Sequence, residues 1–386
     1  MTIKSIAIIL YSNIDYYPST TDAVRLLENK YKIVIFSRNI EDQLELFGKN
    51  TVLYKFGRHT SVIKSERKPG LSKLIEYVLF TLKTIYYSRR HKSRCIIAYD
   101  TFSLTTAVML RLFNPQIKIF YHAHEIIEPG SSKWYHLRYW TEKVTIAYAK
   151  DCVWVSQPDV KRADFFKNLT GIKDVKVMRN FALRNFKEPV EKLALCEKLK
   201  QDGYVVGTFI GTIGKESYIE NLVQFIRTSE MKIAFVIAGV VREKSIENLL
   251  RNENNRRLSR LVYLGFIPKK EINALLNSAD FALALYAPSL MTEMNAGSSA
   301  KVGAYITFGL PVIYPSFWDY EPYYKEIGLN YDDGEGLLAR VREMAKDQDL
   351  RRRLGENAKR KFKENINFES EFRELKETLD GYMKLN

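Results

Sequence analysis

The sequence predicts an α/β protein built from two doubly wound, Rossmann-like domains in tandem, and three observations predict it. Short β-branched and aromatic runs alternate with stretches of helical periodicity, the pattern of a parallel sheet covered on both faces by helices. The alternation occurs twice, on either side of a charged, proline-bearing stretch. The chain has 386 residues, 46% hydrophobic and 27% charged, enough to bury two cores and too apolar for disorder. This places an N-terminal domain at 1–185, a connector at 186–203, a C-terminal domain at 204–365 and a final helical segment at 366–386.

In order, SIAIILY is a buried first strand, a helix follows near Thr20 to Asn29, and YKIVIFSR and TVLYKFG are the next strands. A long basic helix leads to the strand RCIIAYD. A helix from Phe102 to Phe113, the strand KIFYHAH, a helix from Lys133 to Ala149 and the strand CVWVS complete the first series. The second begins at YVVGTFIGTI. It continues through a helix over Tyr218 to Arg227, KIAFVIAGV, a helix over Lys244 to Arg251, VYLGFI, a helix over Pro268 to Asn277, and DFALALY. Next, the loop Asn295-Ala-Gly-Ser-Ser299 opens a helix from Ala300 to Phe308, which Gly309 stops before the strand PVIYP. The last fifty residues are helical, ending in an amphipathic segment with Phe368, Phe372, Leu375 and Leu379 at helical spacing.

Composition excludes several classes. Cys95, Cys152 and Cys196 are far apart and odd in number, so neither a disulfide framework nor a thiolate metal site is expected, and a reducing, cytoplasmic setting is. The loop SNIDYYPST after the first strand contains no glycine, so the dinucleotide fingerprint is missing where it belongs and no nicotinamide or flavin cofactor is expected. No apolar run is long enough to span a bilayer. The net charge of +15 is uneven: residues 1–190 hold 31 Lys and Arg against 17 Asp and Glu, residues 191–386 hold 29 against 28. The first half therefore favours an anionic partner.

Three stretches carry candidate chemistry. Tyr121-His122-Ala123-His124-Glu125 ends a strand, with two of the five histidines on one side of it. They are open to three readings: a pair satisfied within the fold, a metal site lacking an evident third ligand, or a His124 that meets a polar ligand or reacting group. Gly211-Thr212-Ile213-Gly214-Lys215 ends the first strand of the second domain, where glycine permits close backbone approach and Lys215 supplies a cation. Gly239 ends the next strand, and Phe266 after another is either core or a platform for a flat base. Ser298 and Ser299 open a helix whose first turn holds Lys301, a cation set against the helix dipole, which suggests an anion at the same place.

The order HAHE, GTIGKES, VIAGV, YLGFIPKKEINALLNSADFALALY and SSAKVGAYITFGLPVI resembles the retaining family-four glycosyltransferases of the GT-B fold, glycosyl transferases group 1, over most of residues 118–315. The resemblance implies two Rossmann-like domains facing a cleft, with the final helix at 366–386 crossing back to the first domain. A nucleotide-diphosphate sugar would be held by the second domain through Gly211, Thr212, Lys215, Gly239, Phe266, Ser298, Ser299 and Lys301, with no metal and no other cofactor. His124 would contact the donor sugar and Glu125 accompany it as the catalytic pair. The product would be a saccharide, with retention by front-face attack. The chain departs from the family in Thr212 and Ser217, where an Arg and a Lys are usual, and in Ala304 and Ala296, where a ribose-gripping Glu pair is usual. Glu321 or Glu293 replacing that grip, a donor with deoxyribose, and a degenerate domain are the competing accounts. A nucleotide-sugar-binding subunit without turnover and a nucleotide-sugar epimerase are the alternative functions.

On the acceptor side, Lys64, Arg67, Lys68, Lys73, Lys83, Arg89, Arg90, Lys92 and Arg94 interleave with Leu74, Tyr77, Val78, Phe80, Leu82, Ile85, Tyr86 and Tyr87. A second cluster is Lys133, Trp134, Tyr135, Arg138, Tyr139 and Trp140. Cations mixed with interfacial aromatics suit an anionic bilayer, so a peripheral enzyme at the inner face of the membrane with a lipid-linked saccharide acceptor is expected, and no nucleic acid.

Overall fold

The computed structural model describes residues 4–40, 47–60, 70–128, 130–133, 135–185, 191–251 and 258–384. Lys64, Arg67, Lys68 and Trp134, named above, and Pro189, the proline of the charged stretch, lie outside these residues. The chain forms two compact units, one of Met1–Asn180 with Phe368–Asn386, the other of Phe181–Asn367.

The first unit is built on a parallel sheet of β1 (Ser5–Leu10), β2 (Lys32–Ile40), β3 (Thr51–Thr60), β4 (Cys95–Tyr99), β5 (Lys118–His122), β6 (Trp154–Gln157) and β7 (Lys176–Val177), in the order β3-β2-β1-β4-β5-β6-β7. Every residue of β1 is buried because helices cover both faces, which is why the run is continuously apolar rather than alternating. Ala7 and Ile9 enter one core with Val34, Phe36, Ile96 and Ala98, while Ile6, Ile8 and Leu10 serve the opposite face. The final helix, Phe368–Lys384, belongs to this unit and buries Phe368, Phe372, Leu375, Leu379 and Met383. Each such side chain contributes about 1.5–3 kcal/mol by leaving water. Its carboxylates meet the basic unit: Glu371 with Arg179 at 3.2 Å, Glu374 with Lys176 at 2.7 Å, and Asp380 with Lys30 at 2.7 Å.

The second unit holds β8 (Val205–Ile210), β9 (Ile233–Ala238), β10 (Arg260–Gly265), β11 (Phe281–Leu283), β12 (Val312–Pro315) and β13 (Gly328–Tyr331), all parallel, in the order β10-β9-β8-β11-β12-β13. Two cores sandwich this sheet, Val206, Val236, Ala282 and Val312 in one and Phe209, Phe235, Phe281 and Ile313 in the other.

The structure departs from sequence expectation at a few elements. The helix expected from Lys133 starts at Leu137, because the chain first makes a turn in which His136 N–H donates to Lys133 O at 2.8 Å. A helix at Val160–Thr170 escaped the sequence reading although its ends are marked: Asp159 caps it, accepting from Lys161 N–H, and Gly171 ends it at φ +73°. The stretch read as a charged, helical connector does hold a helix, Ala194–Gln201, but that helix buries Cys196 and Leu199 in the core of the second unit. The strand β13 was also unforeseen; four residues are too few for periodicity to show.

Candidate functional site

Each sheet has one place where the strand order reverses: between β1 and β4 in the first unit, between β8 and β11 in the second. Connections leaving neighbouring strands toward opposite faces open a crevice beyond their carboxyl ends, the usual seat of ligands in open α/β sheets. Most candidate residues lie at or beside these two places, whereas Phe266 follows the edge strand β10.

In the first unit, β4 runs directly into the helix Asp100–Phe113, and Asp100 takes the left-handed conformation at φ +64°, a strained choice for a residue with a side chain. Its Oδ1 accepts the backbone N–H groups of His124 at 2.7 Å and Glu125 at 3.0 Å. Burial pushes the Asp100 carboxyl up to about 7, against the downward pull of those N–H donors. The loop after β5 is thus clamped to the neighbouring strand, and Arg162 adds a third tie by donating to His124 O at 2.9 Å.

His124 is 8% exposed. Its ring stacks with Tyr99 at 5.0 Å and Tyr17 at 4.7 Å, and Nε2 is hydrogen-bonded to Thr20 Oγ1 at 3.0 Å. Burial holds its pKa well below the usual histidine range, so the imidazole is neutral at pH 7. His122, edge-on at 5.0 Å, is fully buried with Nδ1 bonded to Ser156 Oγ at 2.9 Å, and burial lowers it to about 3. The fold thus gives each ring one hydrogen-bond partner, while His122 Nε2 is buried without one. Glu125 alone of the cluster is exposed. Among the described residues no three His, Cys, Asp or Glu side chains are placed to share a metal.

In the second unit, Gly211 follows β8 at φ +113°, and a Cβ there would lie 3.3 Å from Lys301 Cε. Gly211 and Lys301, ninety residues apart in sequence, are neighbours at the β8–β11 reversal. Gly239 closes the turn from below: at φ +148°, its missing Cβ would overlap Gly211 O at 1.8 Å, so no side chain fits. The helix Ala300–Thr307 is fixed over this turn by Tyr305, whose hydroxyl accepts from Ile210 N–H at 3.1 Å and donates to Leu283 O at 3.2 Å. Lys301 Nζ sits 4.3 Å above the Phe209 ring and 4.6 Å above Tyr286. These two π faces offset the cation's conflict with the helix dipole, so that conflict alone does not demand an anion. They also hold the ammonium beside Gly211.

The remaining predicted residues separate into two groups. Thr212 and Lys215 are exposed at the same end of the sheet, and Phe266 is 79% exposed, which removes it from the core. Ser299 is buried and pairs with Tyr286 Oη at 3.3 Å, Ser298 donates to Asn295 Oδ1, and Ser217 donates to Gly214 O, so all three hydroxyls are engaged within the fold. Ala304 packs on the apolar core of the unit. Of the two acids considered in place of a Glu there, Glu321 is only 1% exposed, while Glu293 on the short helix Leu290–Glu293 keeps part of its surface. Burial pushes Cys152 and Cys196 up to about 12 and Cys95 up to about 11, which rules out thiolate chemistry at neutral pH.

Residues 215–377 match the family model described as glycosyl transferase-like. That match spans less than half of the chain, whose fold is GT-B. By sequence no curated protein matches. Among solved structures, the GT-B chain is similar to sucrose-phosphate synthase from Thermosynechococcus elongatus, at TM-score 0.72 and 13% identity over 99% of this chain and 100% of that one. It is similar also to Anabaena HepE in complex with UDP and glucose, at TM-score 0.66 and 14% identity over 98% and 100%. A putative UDP-N-acetylglucosamine 2-epimerase from Listeria monocytogenes follows, at TM-score 0.61 and 9% identity over 100% and 98%. At these identities the likeness is one of fold, shared by transferases and an epimerase alike.

Sequence reasoning missed Asp100, Thr20, Tyr17 and Tyr286. Asp100 carried a signal, an acid closing the strand run RCIIAYD, but an acid at a helix start reads first as a cap.

Proposed function

We propose that the chain transfers a sugar from a nucleoside diphosphate sugar to a saccharide acceptor with retention of anomeric configuration. The Gly211–Lys301 pairing at the β8–β11 reversal carries this reading: a turn without a Cβ, a fixed ammonium and a helix N-terminus together match a diphosphate. Thr212, Lys215, Gly239 and the backbone N–H groups of Ser298 and Ser299 complete the phosphate side, Phe266 offers its exposed ring to the base, and no metal is required. In the transfer, the acceptor oxygen bonds to the anomeric carbon as the bond to the diphosphate breaks, and the acceptor proton passes to the departing diphosphate oxygen. His124 and Glu125 are assigned to this step as contacts to the reacting sugar.

HepE's complexes with UDP and with UDP-glucose make these compounds the first probes. Thermal shift of the full chain with UDP-glucose and other nucleotide sugars is expected to show saturable stabilisation. None by any of them would remove the reading. With a competent donor, His124→Ala is expected to slow transfer at least about tenfold. Ala304 and Thr212 support a second reading, a binding subunit: stabilisation by a donor without release of diphosphate to any saccharide acceptor would favour it.

We also propose that the acceptor is lipid-linked and is met at an anionic membrane. The helix Gly70–Arg90 supports this, because it carries an apolar face that is left exposed. It buries Tyr77, Phe80, Thr81, Thr84 and Ser88 and leaves Leu71, Leu74, Ile75, Val78, Leu79, Leu82 and Tyr86 exposed at helical spacing, beside Lys73, Lys83, Arg89 and Arg90. An apolar stripe flanked by cations has the chemistry of an interfacial helix. Among the described residues no helix is long and apolar enough to cross a membrane. Leu74→Gln with Leu82→Gln is expected to reduce sedimentation with phosphatidylcholine–phosphatidylglycerol vesicles several-fold at unchanged Tm. Equal sedimentation would refute the placement.

A further inference from the structure

The backbone hydrogen bonds of the first unit change direction where the chain leaves β5. Ala123 N–H still donates to Ser156 O at 3.2 Å, continuing the β5–β6 ladder. The next two amides, of His124 and Glu125, donate instead to Asp100 Oδ1, which follows β4 on the other side of β5. Amides just past the end of a ladder have no strand partner, and a buried one left unpaired is costly. Asp100 is the acceptor that the sheet no longer offers. The backbone of His124 is held at its carbonyl as well, which accepts from Arg162.

Asp100 reaches these amides instead of serving its own helix. An acid at a helix start ordinarily turns its carboxylate onto the free N–H groups of the first turn. In the helix Asp100–Phe113 the cap position is Tyr99, whose side chain makes no capping bond, and Asp100 Oδ1 is turned to the neighbouring loop. The backbone at φ +64° is one that residues other than Gly, Asn and Asp rarely take. A carboxylate drawn away from capping, on a strained backbone, answers a demand of the loop and not of the helix.

We propose that Asp100 is a positioning residue for the transfer, fixing through these two amides where the His124 ring and the Glu125 carboxylate stand. This rests on the reading that assigns His124 and Glu125 to the reacting sugar. Tyr17, Thr20 and Tyr99 hold the His124 ring itself, whereas Glu125 is exposed and depends on its backbone tie for its place. Asp100 acts through these neighbours, so its effect falls on the chemical step and not on nucleotide binding, which the Gly211 turn and Lys301 provide. The dependence is steep, since a displacement of about 1 Å at a reacting centre can slow a reaction on the order of a hundredfold.

The test compares two substitutions in the full chain, with UDP-glucose, or the nucleotide sugar that the thermal-shift series selects, as donor. Asp100→Gly removes the acceptor and fits φ +64° without strain, while Asp100→Asn keeps an Oδ1 acceptor and tolerates the same backbone. In Asp100→Gly, hydrogen–deuterium exchange is expected to quicken at the amides of His124 and Glu125. Its kcat for release of the nucleoside diphosphate, to an acceptor or to water, is expected to fall at least about tenfold, with Kd for that diphosphate kept within about twofold. Asp100→Asn is expected to recover most of the rate together with the protection. A purely structural role predicts instead that activity follows the folded fraction and returns on cooling. An unchanged kcat in Asp100→Gly overturns the proposal, as does an Asp100→Asn as slow as Asp100→Gly while both its amides stay protected. A parent chain that turns over none of the nucleotide sugars removes the transfer reading and this proposal with it. A parent that turns over, beside an Asp100→Gly of equal kcat, removes this proposal alone.

Discussion

Lys301→Met is expected to weaken binding of UDP or its sugars by roughly 30- to 100-fold, the loss of a charge-assisted phosphate contact of about 2–3 kcal/mol. The fold should tolerate the change. In the free protein, Lys301 Nζ meets the Phe209 and Tyr286 rings, and a thioether over those rings recovers part of the cation–π attraction, itself about 1 kcal/mol. Isothermal titration at low and high salt measures the effect, since a lost ammonium also flattens the salt dependence. An unchanged Kd would take Lys301, and with it the Gly211 turn, out of the nucleotide site. The proposal for the second unit would then lack its central observation.

The second large effect is a pH dependence of opposite sign for two neighbours. His122 titrates near 3 in the folded chain and near 6.5 when unfolded, so between these values the unfolded chain binds a proton that the folded one cannot. Its contribution to stability is intact above about 6.5 and declines as pH falls toward 3. His124, also held well below its usual range, acts in the same direction. Asp100 does the reverse: raised from 3.8 to about 7, it favours the fold on the acid side and loses that contribution as pH rises through 7. Each group changes stability by up to about 1.4 kcal/mol per pH unit inside its window. Two histidines against one aspartate leave a net loss on acidification from pH 6.5 to 4.

Urea unfolding at pH 7, 6 and 5 should therefore show His122→Asn less acid-sensitive than the parent and Asp100→Asn more so. Carboxylates elsewhere are common to all three proteins and cancel in the comparison. Trp154 reports the local transition, because its Nε1–H donates at 3.0 Å to Ser156 Oγ, the partner of His122. Parallel pH profiles for all three would mean that these groups titrate alike in folded and unfolded chains. Asp100→Ala, which also removes the acceptor for two backbone N–H groups, should cost a further 1–3 kcal/mol or so.

The sequence by itself determined the two parallel sheets, the order of their main elements and the glycines and cations of the second unit. Those signals are local: a strand buried on both faces must be apolar throughout, and a turn pressed against backbone must be glycine, as Gly239 is against Gly211. What the tertiary structure alone decided is which distant residues meet and which surface each element shows. Lys301 beside Gly211, and His124 among Tyr17, Thr20 and Tyr99, follow from strand order, which periodicity does not encode. The strain at Asp100 arises because β4 passes into a helix without a turn, a backbone fact with no compositional mark. The helix Gly70–Arg90 shows the limit most plainly, since its leucine face and its threonine–serine face are both legible in the sequence. Only packing against the helix Asp100–Phe113, where Tyr77 donates to Phe102 O and Thr81 pairs with Thr106, selected the face of Tyr77, Phe80, Thr81, Thr84 and Ser88 for the interior and left the leucines outside.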